Sequence, residues 1–211
     1  MLRFKNYLFD LDGTLTDPGE GIKNSIRYAL DKFGLACPTD DVLNKFIGPP
    51  LIDSFMTYCG AAVDEARTLL AYYREYFSVR GYLENMLYPD TVAVLEAIRA
   101  EGGRIFLATG KPELYAIKIL EHFDILKYFE FCAGNDMGES RATKDAVITH
   151  VLNSVGISPE DSLMIGDRCY DVEGAQKCGL CSAAVLFGYG DREELADADF
   201  MLNSFTELLA L

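Results

Sequence analysis

The sequence predicts an α/β fold: a doubly wound, mainly parallel sheet with helices on both faces and a small all-helical domain inserted into it. Two observations carry that prediction. Short apolar runs alternate with amphipathic helical patterns along most of the chain, as parallel strands joined by crossover helices require. One stretch, residues 18–86, breaks the alternation and reads as wholly helical. A length of 211 residues suits one sizeable domain with a modest insertion.

The first candidate strand is Tyr7-Leu8-Phe9, followed at once by a turn-prone stretch. The helical insertion comes next. Ile22, Ile26, Ala29, Leu30 and Phe33 make one apolar stripe in it, and Ala66, Leu69, Leu70, Tyr73 and Phe77 make another. Gly34, Cys37-Pro38, Gly48-Pro49-Pro50 and Gly60 punctuate the region. Its place directly after the first strand marks a lid or cap, so residues 1–17 and 87–211 are expected to form the core and 18–86 the cap. In the core, Val92, Leu95 and Ile98 repeat at helical spacing before a strand at 104–108. Val147, Ile148, Val151, Leu152 and Val155 form a second such helix before a strand at 163–165, and a last strand is expected at 183–186.

Composition narrows the function classes. No window of 18 or more uninterrupted apolar residues exists, and the first ten residues lack the apolar core of a signal peptide, so a soluble cytoplasmic protein is expected. Net charge is 19 minus 33, or −14. That field disfavours nucleic acid and anionic membranes as partners, and any phosphate site must bring its own positive charge. The six cysteines read as reduced thiols. Cys178 and Cys181 form a single C-x-x-C with no second pair to complete a zinc site, and packing is the better reading.

The chemistry-bearing stretch ends the first strand: Asp10-Leu11-Asp12-Gly13-Thr14-Leu15-Thr16-Asp17. In open α/β sheets ligands collect at the carboxyl ends of strands, where Asp10 and Asp12 fall. Two carboxylates so close repel each other unless something offsets them, and magnesium, which prefers hard oxygen ligands, is the usual solution.

D-x-D-G-T-x-x-D after an apolar strand resembles the first motif of the haloacid dehalogenase superfamily. Leu107-Ala108-Thr109-Gly110 resembles the second motif, Lys144 after Arg141-Ala142-Thr143 the third, and Gly166-Asp167-Arg168-Cys169-Tyr170-Asp171 the fourth. The order is that of the family, the resemblance covers essentially the whole chain, and the cap position is similar to that of the phosphoglycolate phosphatase-like branch. The resemblance implies a Rossmann-like core and a magnesium-dependent phosphatase of a small phosphorylated metabolite, with phosphoglycolate or a 5'-nucleotide as candidates, working as a monomer or homodimer. It implies that Asp10 is the nucleophile, forming an aspartyl-phosphate, and Asp12 the general acid and then base. Asp10, Asp12 (through its backbone carbonyl) and Asp167 are the implied metal ligands, with Asp171 in an outer or water-mediated position. Thr109, Gly110 and Lys144 are the implied phosphate contacts.

Each residue has a plainer role to set against this. Asp171 could simply cap the helix that begins there. Thr109 alone would be a helix cap, with a helix starting just beyond Gly110. Lys111 competes with Lys144, but it precedes Pro112 at that helix start, where a long side chain can point to solvent. His122 and His150 read as helix-face residues. In the cap, the crowd from Tyr72 to Arg80 largely matches its own helix's apolar face, so Lys45, Phe46 and Gly48-Pro49-Pro50 are the better candidates to meet substrate. A phosphosugar mutase would share every core motif. A non-enzymatic phospho-acceptor switch would be shorter, lack a cap, and have no use for Asp12.

Overall fold

The computed structural model describes residues 2–136 and 140–211. The chain divides into two compact units, one made of the chain up to Thr16 and from Leu87 onward, the other of Asp17–Met86. The strands are β1 (Asn6–Phe9), the two-residue β2 (Thr16–Asp17) and β3 (Met86–Leu87) where the chain passes between units, β4 (Arg104–Pro112), β5 (Phe131–Asn135), β6 (Ser162–Gly166), β7 (Cys181–Val185) and β8 (Phe200–Leu202). The larger unit carries a six-stranded sheet in the order β5-β4-β1-β6-β7-β8 with every neighbouring pair parallel. This is the mainly parallel, Rossmann-like α/β fold expected from the alternating pattern.

β1 shows why the sheet is covered on both faces. Successive side chains of a strand point to opposite faces. Leu8 packs into a cluster with Phe106, Met164, Val147, Ile148, Val151 and Ala175, burying the apolar stripes of α7 (Lys144–Val155) and α8 (Cys169–Cys178). Phe9 faces the other way and meets Phe205 with ring centroids 5.9 Å apart. A turn of 3₁₀ helix at Phe205–Ala210 packs there with α5 (Thr91–Ala100), which also lies on β4. Leu8 and Phe9 are fully buried, and each such side chain contributes about 1.5–3 kcal/mol.

Four strands depart from the sequence expectation. β4 continues to Pro112, with a register irregularity after Ala108, so α6 (Glu113–His122) begins later than expected. β5 and β8 had no sequence signal, being short and carrying Gly134 or lying in an acidic stretch. β7 starts two residues earlier than read, placing Cys181 at its head while Cys178 ends α8; all six cysteines are free.

The smaller unit holds α1 (Gly19–Phe33), α2 (Asp40–Asn44), α3 (Leu51–Cys59) and α4 (Val63–Tyr76), the last running into a π turn at Phe77–Gly81. Ile22, Ile26, Ala29 and Leu30 of α1 and Ala66, Leu69 and Tyr73 of α4 are buried as the stripes require. Tyr73 stacks on Phe77 at 5.3 Å, the packing role expected of that aromatic segment. Lys45 is exposed, while Phe46 and Ile47 beside it are buried. Among the described residues no helix is long and apolar enough to cross a membrane.

Candidate active site

Strand register decides where the functional groups collect. Phe9 of β1 stands opposite Leu107 of β4 and Ile165 of β6. Asp10 and Asp167 therefore leave the sheet side by side, next to Thr109 of β4. The Asp10 N–H donates to the Ile165 carbonyl at 2.9 Å, extending the ladder by one residue, and the chain then turns sharply. Leu15 N–H donates to Leu11 O at 2.9 Å, and Gly13 N–H donates to Thr16 O at 2.8 Å.

Gly13 is required twice over. Its φ of 84° lies in the left-handed region, and a Cβ there would stand 2.0 Å from Asp167 Oδ2. Gly13→Ala is accordingly expected to cost about 1–3 kcal/mol of stability by denaturant titration and to displace Asp167. A variant of wild-type stability would show that the turn is more yielding than this contact implies.

Asp167 follows β6 and is 1% exposed. Its Oδ2 accepts the Tyr189 N–H at 2.8 Å, and Thr14 Oγ1 donates to its Oδ1 at 3.4 Å. Asp171 lies in the first turn of α8 and accepts the Arg168 N–H at 3.1 Å through Oδ2, so the capping role does hold. Its other oxygen has a second task. Oxygen atoms of Asp10, Asp167 and Asp171 all lie within 4.8 Å of one another, with all three residues buried. The Asp171 carboxylate thus stands beside those of Asp10 and Asp167. The Asp12 carboxylate is not one of the three, in keeping with an implied metal contact through its backbone carbonyl alone.

Lys144 opens α7 and reaches the triad. Its Nζ lies 3.0 Å from Asp10 Oδ1 and 2.7 Å from Asp171 Oδ1, and donates to the Ala108 carbonyl at 3.1 Å. Its stem passes over Gly174, where a Cβ would come within 2.8 Å of it. The ammonium contacts are close but not aligned as hydrogen bonds, and Asp10 Oδ1 and Asp171 Oδ1 have no hydrogen-bond partner among the described residues. Three carboxylates against one ammonium leave two negative charges in a buried site, an arrangement whose donors can take a divalent cation.

Thr109 is 1% exposed and its Oγ1 accepts the Lys111 N–H at 3.2 Å. Gly110 is exposed, with open space where a side chain would stand. Both lie within the extended β4, not at a helix start.

Lys111 is the residue that the sequence reading misplaced. Its side chain is 6% exposed and its Nζ sits 2.6 Å from Asp12 Oδ2. No local signal places it there: β4 runs on to Pro112 with a register irregularity after Ala108, and that path brings Lys111 to Asp12.

The two halves of the site are electrostatically distinct. Burial raises the Asp12 carboxyl above its ordinary range, with Lys111 pulling the other way. Burial also raises Asp167 well above its usual value, reinforced by the charges of Asp171 and Asp10. Asp171 is pushed up to about 6, again chiefly by burial and against the pull of Lys144. Burial works against the Lys144 charge, but Asp10 and Asp171 outweigh it and hold the ammonium protonated above the usual lysine value.

Comparison with known proteins agrees with this geometry. The haloacid dehalogenase-like hydrolase profile matches residues 7–185. The chain is 42% identical to a 5'-nucleotidase of Pseudomonas aeruginosa over 92% of its own length and 88% of that protein. It is 38% identical to Tyrosine-protein kinase PtkA of Mycobacterium tuberculosis over 87% of its length, and spans 62% of that longer protein. The crystal structure of a predicted phosphatase from Clostridium acetobutylicum superposes with a TM-score of 0.92 at 41% identity, covering 100% of this chain and 98% of that one.

Proposed function

The chain belongs to the haloacid dehalogenase-like hydrolases and is a phosphoric monoester hydrolase, and we propose that it uses magnesium and an aspartyl-phosphate on Asp10. The observation that supports the mechanism is the difference between two neighbouring carboxyls: Asp10 lies against Lys144 in the acidic triad, whereas Asp12 lies outside the triad and burial raises it above its ordinary range against the pull of Lys111. A nucleophile must be ionised and a general acid protonated, so their surroundings have to differ.

An Asp10 carboxylate oxygen attacks phosphorus as the bond from phosphorus to the leaving oxygen breaks, and Asp12 delivers its proton to that oxygen. Asp12, now a carboxylate, takes a proton from the water that attacks the aspartyl-phosphate, which releases inorganic phosphate and restores Asp10. The Thr109 hydroxyl and Gly110 N–H donate to the phosphoryl oxygens, and Lys144 offsets charge on both Asp10 and the phosphoryl group. Asp10, Asp167 and Asp171, with the Asp12 backbone carbonyl, would hold the magnesium ion, an all-oxygen set that suits it and is poor for zinc. When bound, the ion polarises the phosphoryl group and neutralises its charge.

The core, 1–17 and 87–211, does this chemistry in our reading, while 18–86 is the cap that sets substrate preference. Nucleoside 5'-monophosphates are the first substrate class, by similarity to the 5'-nucleotidase, and phosphoglycolate the second. Six free thiols support a reducing, cytoplasmic setting. The test is steady-state turnover of these esters and of p-nitrophenyl phosphate with magnesium, ranked by kcat/KM. Release of phosphate with a nucleotide ranked first is expected. Isomerised sugar phosphate, or transfer to protein tyrosine in place of water, would replace the reading. Lys45→Ala is expected to raise KM for the best substrate and leave kcat for p-nitrophenyl phosphate within a few fold; an untouched ranking would move specificity elsewhere.

A further inference from the structure

We propose that Lys111 is a positioning residue that acts through Asp12, fixing which carboxylate oxygen is presented to the leaving group; this rests on the phosphatase reading above. The two lysines of the site divide its carboxylates between them. Lys144 serves Asp10 and Asp171, whereas Lys111 holds Asp12 Oδ2 at 2.6 Å. Asp12 Oδ1 has no hydrogen-bond partner among the described residues although it is buried. One oxygen is thus anchored and the other left to carry and pass the proton.

Without that anchor, a short carboxylate on the same turn as Asp10 has two other places to go. It can rotate toward the phosphoryl oxygens, where like charge opposes it, or toward the cation site that Asp10, Asp167 and Asp171 line. Either choice removes it from the leaving oxygen.

The anchor is itself held. Lys111 donates its N–H to Thr109 Oγ1 at 3.2 Å, which ties its backbone to the residue that faces the phosphoryl group. Its carbonyl lies where a Cβ on Gly134 of the neighbouring β5 would be 2.5 Å away, so β5 closes tightly on this end of β4. A side chain 6% exposed, on a backbone fixed from two sides, is placed to orient its partner and not to search for substrate.

A leaving-group comparison tests this. Wild type, Asp12→Asn, Lys111→Met and the double variant are assayed with magnesium on p-nitrophenyl phosphate, which needs little protonation, and on an alkyl phosphate ester. Lys111→Met is expected to lower kcat for the alkyl ester by roughly tenfold to a hundredfold, with a loss of only a few fold for the nitrophenyl ester and little change in KM. Added to Asp12→Asn it is expected to cost almost nothing further, because both changes disable one unit. Lys111→Arg is expected to recover part of the loss, and Lys111→Gln replaces Lys111→Met should that variant not fold. Equal losses on both esters, a raised KM, or losses that add to those of Asp12→Asn would overturn the proposal and make Lys111 a direct phosphate contact. An Asp12→Asn variant indifferent to the leaving group would instead sink the acid role of Asp12, and with it the reading on which this proposal rests.

Discussion

Asp10→Asn is expected to lower kcat by roughly a thousandfold or more while the fold persists, the scale on which removal of a nucleophile is felt. An amide has nearly the shape of the carboxylate but is a poor nucleophile. The backbone of residue 10 is held by its own N–H to Ile165 O, which the substitution leaves untouched. Stability is expected to stay within about 1 kcal/mol, because two effects oppose each other. The change removes a contact of Lys144 at 3.0 Å, yet Lys144 keeps Asp171 at 2.7 Å. It also removes one of three like charges buried within 4.8 Å of each other. Melting curves and single-turnover assays on the same preparation separate the two quantities. A variant that keeps even about a tenth of wild-type kcat would rule out attack by Asp10, since so small a loss is far below what a covalent step demands.

How much of this was legible follows from how local each signal is. β1 and β6 are buried on both faces, so their apolar runs stand out, and the residues that follow them are named by position alone. Asp10, Asp12 and Asp167 were legible for that reason. β5 and β8 lie at the two edges of the sheet, are short, and carry few branched residues, so their existence is decided by neighbours far off in sequence. The extension of β4 past Ala108 has the same origin: Pro112 pairs with Asn135 of β5, a partner no local window contains. That one tertiary effect moved Thr109 and Gly110 from a helix start to a strand and turned Lys111 into the site. For Asp171, a place four after Asp167 says only that it begins a helix, and nothing local shows how near its carboxylate comes to Asp10 and Asp167. Its carboxylate reaches the triad because Gly166 has no side chain; a Cβ there would be 2.1 Å from the Asp171 carboxyl carbon.

Removal of metal is expected to silence the enzyme, with kcat falling below about a hundredth on chelation with EDTA and returning with magnesium, since charge stabilisation at the phosphoryl group is worth several kcal/mol. Calcium is expected to inhibit, its looser coordination shell being a poor guide for in-line attack. Full activity after exhaustive chelation would end the assignment. Binding has a signature independent of turnover. Asp171 is pushed up from 3.8 to about 6, chiefly by burial, with Lys144 opposing. Between those values the folded chain holds more proton at this group than the unfolded chain, so native stability falls as pH rises through that window. Above it the buried carboxylate is fully charged and the penalty is complete. A cation binds that charged form, so the gain in Tm on adding magnesium is expected to be small near about pH 4.5 and large near about pH 7.5. At about a hundred times its Kd the ion adds roughly 2.7 kcal/mol at the higher pH. A gain equal at both values would mean that magnesium is held by groups other than the buried triad, because exposed carboxylates are already charged at the lower pH and have no such penalty to relieve.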